Sequence, residues 1–517
     1  MARSATDDEK ALIEGLLRTI NQRRKRNTLR KNFIEAESKL KMNGYNIPPG
    51  FEKFKTTLNW PHKAASVFAS RQIPTGFTSR VQSTMLDDIE ALYEDSGYSA
   101  RERMVIEAAD QFGVTFVFTT LGDQSAGEPA VVFSAKTAFT ATCVLDARTG
   151  AVRHALEVVD HKHANLYLPG LVLECKRAGS GSGWQVINEV LTGTRRVMCA
   201  PHVHGASLVK PLGQSRITQP VMDLTLAGMR TLLRSEVGAQ FYMAPRPLVR
   251  GASASDFDGD PWSILTGEAW AIADVSVDDD QDVPDALRRV EAQMLPQLSM
   301  QPFGDQYRLI AGAMSGASSI PPQYLGVMQD SNPSSAQAIE ASEIDLTREV
   351  RAQNPILGMG RKTLALNALA LLDGRDFSPV VQAEIRTLRA DWEDPRTRSM
   401  SEQSQMVALQ VQAGNLQPGT KTTLKQLPIS AEDVDNAVEE GRRAAGAGLL
   451  DQVLSAASGE AEAEGPSMQE RANTFGILTR SGAEPQSAAQ VAAGLIDISE
   501  IQMRPGGPVT WRDPDDN

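Results

Sequence analysis

A chain of 517 residues is long enough for several hydrophobic cores, since one domain takes roughly 100–200 residues. Its 41% hydrophobic and 22% charged content is that of an ordinary globular protein. A net charge of −12 argues against a general nucleic-acid binder, whose phosphate contacts need clustered Lys and Arg. It leaves room for a channel through which DNA slides, where strong phosphate binding would act as a brake. Cys143, Cys175 and Cys199 are an odd, sparse set with no Cys-x-x-Cys, which points to reduced thiols. The first ten residues lack the apolar core of a signal peptide, and no run of eighteen apolar residues marks a membrane span.

Residues 7–42 read as helix, with Leu12, Leu16, Leu17 and Ile20 on one face. Arg23-Arg24-Lys25-Arg26, then Arg30 and Lys31, form the strong basic cluster of the chain. A solvated helix face accounts for such a run. The functional alternative is contact with an acidic neighbouring subunit, a partner protein or nucleic acid. Residues 60–112 read as helical around positions 85–93. From Phe112 the runs at 114–118, 130–133, 141–145, 155–159, 165–170 and 184–190 are β-branched and aromatic and of strand length, so 112–210 reads as mostly antiparallel β structure. Asp146-Ala147-Arg148-Thr149-Gly150 is a turn between two of them.

Residues 215–243 return to helix, with Met222, Leu226, Met229, Leu233 and Val237 in one stripe and Pro220 early, where its missing N–H costs little. Residues 244–284 are short-stranded and acidic, with Asp256, Asp258, Asp260, Asp278, Asp279 and Asp280. Pro284 is expected to open the next helix, which carries Leu287, Val290 and Met294 and is interrupted by Pro296 and Pro302 before resuming at Tyr307, Ile310 and Met314. Beyond Asp373 the chain is expected to stay helical, with turns at 394–395, 416–419 and 427–428. A low-complexity linker follows at 457–466, then a last helical module at 467–503 and a polar tail.

Four histidines cluster as His161, His163, His202 and His204. Positions i and i+2 of a strand share a face, so each pair offers two imidazoles to one metal, but no closed four-ligand spacing appears. Asp256 to Asp260 resembles the start of a calcium loop and lacks the acidic residue that would complete it; Glu268 is out of register. The Gly-rich run 178–183 has no Lys-Ser/Thr and reads as a hairpin turn. No Gly-x-Ser-x-Gly elbow and no His-Glu-x-x-His occur, so a hydrolase or ATPase has no residue to stand on.

The stretch 320–372 is the most telling. Ile320-Pro321-Pro322-Gln323-Tyr324-Leu325-Gly326 leads through Asn332-Pro333-Ser334-Ser335-Ala336-Gln337-Ala338 into a long helix. Ser334 and Gln337 have capping-box spacing. Ile339, Leu346, Val350, Leu357, Leu364 and Leu371 recur at steps of seven and four, keeping one face buried for roughly nine turns. Pro355 removes a hydrogen bond in mid-helix and is expected to kink it.

These two Pro-anchored motifs and the element order resemble the portal (head-to-tail connector) proteins of tailed double-stranded DNA bacteriophages, siphophage type. Asp146-x-x-Thr149-Gly150, Leu166-Tyr167-x-Pro169, the Trp184 strand and His202-x-x-Gly205 resemble the portal wing. The resemblance covers roughly residues 10–510. It implies an α+β chain, with N-terminal helices and a β-rich wing (1–214), a stem helix (215–243), a small α/β clip (244–284) and a second stem helix (285–317). A tunnel loop (318–333), a long kinked wall helix (334–373), helices of wing and crown (374–456), the linker (457–466) and a C-terminal module (467–517) follow. It places Gln323, Tyr324, Met328, Gln329, Asp330, Ser331 and Asn332 on the DNA-facing loop, and the six clip aspartates against a partner.

As implied, the protein is no enzyme and has no cofactor. Its partners are its own copies in a ring, dodecameric when assembled, the terminase motor, the major capsid protein and scaffold, the head–tail adaptor and the DNA in the channel, with no membrane. It belongs at a capsid vertex of the virion and assembles in the host cytoplasm. The rivals are a metal-dependent enzyme built on the four histidines and another minor virion protein.

Overall fold

The structure, a computed structural model, describes residues 3–37, 56–81, 84–177, 183–242, 247–250, 291–294, 299–327, 340–373, 379–396, 400–427 and 436–443, with a few isolated positions between and beyond. The chain divides into two compact units, Met1–Thr397 and Arg398–Asn517.

The first unit opens on a short strand, β1 (Arg3–Ser4), and a 28-residue helix, α1 (Asp7–Ile34). Thr6 caps α1: its hydroxyl accepts from the Glu9 N–H, and the Glu9 carboxylate accepts from the Thr6 N–H at 2.7 Å. The Arg3 guanidinium beside Glu9 holds that carboxyl at about 2. Ile13, Leu16 and Ile20 lay this half of α1 over a sheet, burying Leu156, Leu166, Leu173, Trp184 and Val186.

That sheet runs β1-β9-β8-β7-β6-β5, built from β5 (Ala141–Leu145), β6 (Val152–Val158), β7 (His163–Leu168), β8 (Leu171–Arg177) and β9 (Trp184–Leu191). All its pairings are antiparallel. Asp146 closes the β5–β6 turn by accepting from the Thr149 N–H at 2.8 Å, with Gly150 at φ 72°. A second sheet, β10-β3-β4, uses β3 (Val114–Leu121), β4 (Val131–Thr137) and β10 (Cys199–Val203). β3 is buried on both faces from Val114 to Thr119, which is why its sequence is apolar throughout rather than alternating.

The helices α2 (Trp60–Ser70), α3 (Met85–Asp95), α4 (Tyr98–Phe112), α5 (Gln219–Tyr242), α6 (Gln301–Ser318) and α7 (Ile344–Asp373) complete the frame, with α8 (Pro379–Thr387) after them. α7 is the common wall. Leu346 and Val350 pack with Trp60, Phe68, Val221 and Met314, and Leu357 packs with Ala69 and Ile106. Leu364, Ala368 and Leu369 pack with Tyr93, Tyr98 and Phe133. The second unit holds α9 (Met400–Gln412) and α10 (Lys421–Leu424), tied by the Gln403 amide donating to the Gln426 carbonyl at 3.0 Å.

Three expectations are corrected. The helical span 60–112 is broken by β2 (Pro74–Thr78), and the helical stretch beyond Asp373 by β13 (Arg389–Trp392); the two pair antiparallel. The helix expected from Pro284 is not helical at its described part: Glu291–Met294 is a strand, β12, paired with β11 (Pro247–Arg250). The helix begins at Gln301, with Pro302 in its first turn rather than interrupting it. In each case the strand's partner lies about forty residues away or more, so no local pattern marks it.

α7 also carries a buried ion pair. Arg361 Nε lies 2.6 Å from Glu102 Oε1 and its Nη2 is 3.1 Å from Oε2, while Nη1 donates to the Gly76 and Asp391 carbonyls of β2 and β13. Phe77 and Trp392 flank the guanidinium. One side chain thus joins α7, α4 and the β2–β13 ribbon. At Gly360 the helix backbone lies against β10: an added Cβ would be 2.5 Å from the Pro201 carbonyl oxygen. Helix propensity favours Ala over Gly by about 1 kcal/mol, but a backbone clash of that size outweighs it. Gly360→Ala is therefore expected to lower the midpoint of thermal unfolding, while Gly15→Ala on α1, with open space around it, raises it.

Candidate functional site at the loop root

Pro321 holds an extended conformation and Pro322 opens a short 3-10 turn, Pro322–Leu325, ended by Gly326 at φ 80°. Proline fixes the first dihedrals and glycine supplies the left-handed one, so the chain reverses within six residues. Ile320, Leu325 and Val327 are buried against α2 and α6 neighbours, and the Trp60 indole donates to the Leu325 carbonyl at 3.1 Å. The first part of the expected loop is thus built into the core.

A polar clasp joins this turn to the start of α7. The Tyr324 hydroxyl donates to Glu343 Oε1 at 2.7 Å, and Arg71, just past α2, reaches both: 2.9 Å to the Tyr324 oxygen and 3.1 Å to each Glu343 oxygen. Gln323, exposed, donates to Ser342 at 3.1 Å. Burial and the adjacent Glu343 carboxylate push the Tyr324 phenol above its ordinary range, so it stays protonated and donating at neutral pH. A second brace sits behind. Arg216 lies over the Phe68 ring, donates to the Ala64 and Ser318 carbonyls and pairs with Glu349, which also accepts from Ser319 at 2.6 Å. Tyr324 and Glu343 are 19 positions apart, so the clasp pins both ends of the segment between them.

Of the sequence-selected loop residues, Gln323 and Tyr324 stand at this root; Met328, Gln329, Asp330, Ser331 and Asn332 lie outside the described residues, as does the Ser334–Gln337 cap. So do Asp256, Asp258, Asp260, Asp278, Asp279 and Asp280; the β11–β12 pairing brings the two flanks of their segment side by side. Pro355 falls inside α7, which is helical on both sides of it. Sequence reasoning missed Arg71, Glu343, Arg216 and Glu349. No local pattern marked them: Glu343 sits just before α7 and Glu349 on its exposed face, where charged residues are ordinary.

The histidines are dispersed in role. His163 is bound to Asp160 at 2.9 Å at the surface. His202 is buried beside the Ala200 carbonyl and pushed down to about 4, hence neutral. His204 Nδ1 lies 2.6 Å from the buried Asp110. Among the described residues no three His, Cys, Asp or Glu side chains gather as a metal site. The cysteines are buried free thiols; burial pushes Cys143 up to about 12. A cleft of about 470 Å³ opens beside Arg361 and Glu102, but its buried charges are already paired to each other. Among the described residues no helix is long and apolar enough to cross a membrane.

A mixed helix and sheet chain with a Pro-anchored turn clasped to the start of α7 carries the motifs on which the resemblance to the phage portal proteins rests. The relatives found by comparison carry that name. The chain is 27% identical over 207 residues to the portal protein of Mycobacterium phage D29, covering 38% of this chain and 40% of that one. It is 21% identical over 378 residues to the portal protein of Mycobacterium phage L5, covering 71% and 74%. No protein-family model matches the sequence. Among solved structures, a chain from the neck of a native gene transfer agent particle, computed with C12 symmetry, is similar at 12% identity and TM-score 0.39 over 72% of this chain and 90% of that one, a likeness too loose to carry detail.

Arg71→Ala removes the guanidinium facing a buried carboxylate and is expected to cost about 3 kcal/mol, against about 1 kcal/mol for Tyr324→Phe. Chemical denaturation reads the difference. Hydrogen exchange should rise in peptides spanning 320–345 in both variants and leave the β5–β9 sheet unchanged.

Proposed function

We propose that this chain is the subunit of a phage portal, a ring at one capsid vertex that admits the genome, retains it and later releases it. The observation that carries the reading is the similarity to two proteins named portal protein, one match spanning 71% of this chain. The clamped loop supports it, because a segment that meets moving DNA needs a base that does not yield. Portal subunits are structural; the chemical work of packaging belongs to an ATP-hydrolysing motor that docks on the ring. The ring is dodecameric, and its partners are terminase, capsid and scaffold, and the adaptor. No observation favours the metal-enzyme alternative.

In this reading residues 318–333 form the tunnel loop, α7 is the wall helix with its bend at Pro355, α5 and α6 are the stem, and the acidic segment 244–284, extended by β12 to Met294, is the clip. Gln329, Asp330, Ser331 and Asn332 are polar without Lys or Arg, which suits a sliding contact, since each cationic phosphate contact adds a salt-sensitive hold. The clip aspartates favour a basic partner, with docking that weakens as salt rises.

Electron microscopy of the purified protein should show rings with a central hole; a uniformly monomeric protein across assembly conditions would overturn the reading. Gln329→Lys and Asp330→Lys should impair packaging or DNA retention in rings of normal appearance. Replacing Asp278, Asp279 and Asp280 with Asn should weaken motor docking and leave ring assembly intact.

A further inference from the structure

Two helices of the first unit present opposite charge on exposed faces that are largely without ion-pair partners among the described residues. On α1, Arg18, Gln22, Lys25 and Leu29 run down the middle of the exposed face at steps of four, three and four, with Arg26 on one flank and Glu14 one turn before Arg18; Arg24 and Lys31 are exposed farther round the helix. Lys31 approaches Glu35 at 3.6 Å; Arg18, Arg24, Lys25 and Arg26 make no ion pair among the described residues. Arg30 deepens the positive field from within. It is buried, bonded to the Asn27 side-chain oxygen at 3.1 Å, with its Nε unpartnered and no carboxylate facing it among the described residues.

On α3 the pattern is inverted. Asp87, Ala91 and Glu94 run down its exposed face, flanked by Asp88 and Asp95 on one side and Glu90 on the other, while Met85, Ile89 and Tyr93 face the core. The helix has no Lys or Arg. The nearest cations in sequence are Arg80, exposed just before the helix, and Arg101 and Arg103 of α4; Arg101 is spent on the Ser96 and Gly97 carbonyls, and no ion pair joins any of the three to α3 among the described residues. The two faces belong to different packing clusters: α1 with the six-stranded sheet and the Trp60 cluster, α3 with Phe133 and the C-terminal half of α7. No ion pair links them among the described residues.

A closed ring needs a contact of two unlike patches, so each subunit must carry both halves. We infer that the cationic face of α1 in one subunit docks on the anionic face of α3 in a second copy of this chain, making part of the subunit junction of the ring. The inference rests on the ring reading above. Exposed ion pairs are individually weak, so the rows set register and steer encounter rather than supply most of the affinity, and the junction loosens with salt. Duplex DNA is the other acidic partner such a cationic face suits, but it would leave the acidic α3 face without a role.

The test uses full-length chains. One variant carries Arg18→Glu and Lys25→Glu, the other Asp87→Lys and Glu94→Lys. All four positions are exposed, and circular dichroism with thermal unfolding checks that both variants fold. Each alone should give at least tenfold fewer rings than the unmodified chain, by microscopy and sedimentation, because every junction then faces like charges. An equimolar mixture should recover rings, since alternating subunits restore attraction at each junction. Normal rings from either variant alone, or no recovery on mixing, overturns the inference while leaving the portal reading intact. Normal rings from the α1 variant with a lost, salt-sensitive retention of duplex DNA assigns that face to nucleic acid instead. Absence of rings in the unmodified chain removes the portal reading, and this inference with it.

Discussion

A helix of thirty residues is stable in water only where something covers it at every turn, and the first unit is arranged around that demand. α7 meets the Trp60 cluster near its start, Ala69 and Ile106 at its middle, β10 at Gly360, and Tyr93, Tyr98 and Phe133 toward its end. No one partner element is long enough to cover it, so helices and both kinds of sheet edge are recruited in sequence along it. Arg361 sits where these partners change over. A buried guanidinium is tolerable there because Glu102 takes two of its N–H groups and two backbone carbonyls take a third nitrogen. Burial still outweighs the attraction enough to raise the Glu102 carboxyl above its usual range. Such a pair adds little net stability over an apolar equivalent; its value is that only one placement of the β2–β13 ribbon satisfies it.

The same logic operates at the loop root with smaller stakes. Apolar burial of Ile320, Leu325 and Val327 fixes the turn, and the charged clasp fixes its direction. Arg71 reaches the clasp from the end of α2 and also donates to the Pro395 carbonyl, so it connects the loop root to the segment after β13. A push on the loop is therefore resisted by three distant parts of the chain. For a subunit whose proposed task is to line a channel, a rigid loop root is the useful property: the residues proposed to meet DNA are polar and without Lys or Arg.

Charge is distributed with similar economy. The chain is acidic overall, and its strong basic run lies on α1, while residues 318–333 carry no Lys or Arg. A protein gripping nucleic acid would place its cations at the contact. A ring that lets nucleic acid slide, yet must recognise its own copies, has reason to place them between subunits.

Much of the architecture was legible in the sequence because it obeys local periodicity. The α7 stripe, the α5 stripe, the antiparallel run from 114 to 203 and the Asp146–Gly150 turn follow from burying one face or closing one turn, and each is encoded within a few residues. The family resemblance rested on two short Pro-anchored motifs, whose fixed dihedrals make them recognisable. The sequence could not show β2, β11, β12 and β13, since a strand of four or five residues is decided by a partner far along the chain. Nor could it show that Arg71, Tyr324 and Glu343 meet, or Arg361 and Glu102, because a charged side chain looks the same whether solvated or buried until the fold supplies its counter-ion. Sequence thus determined the elements whose free energy is local; the tertiary structure decided the contacts that exist only once distant segments have been desolvated together.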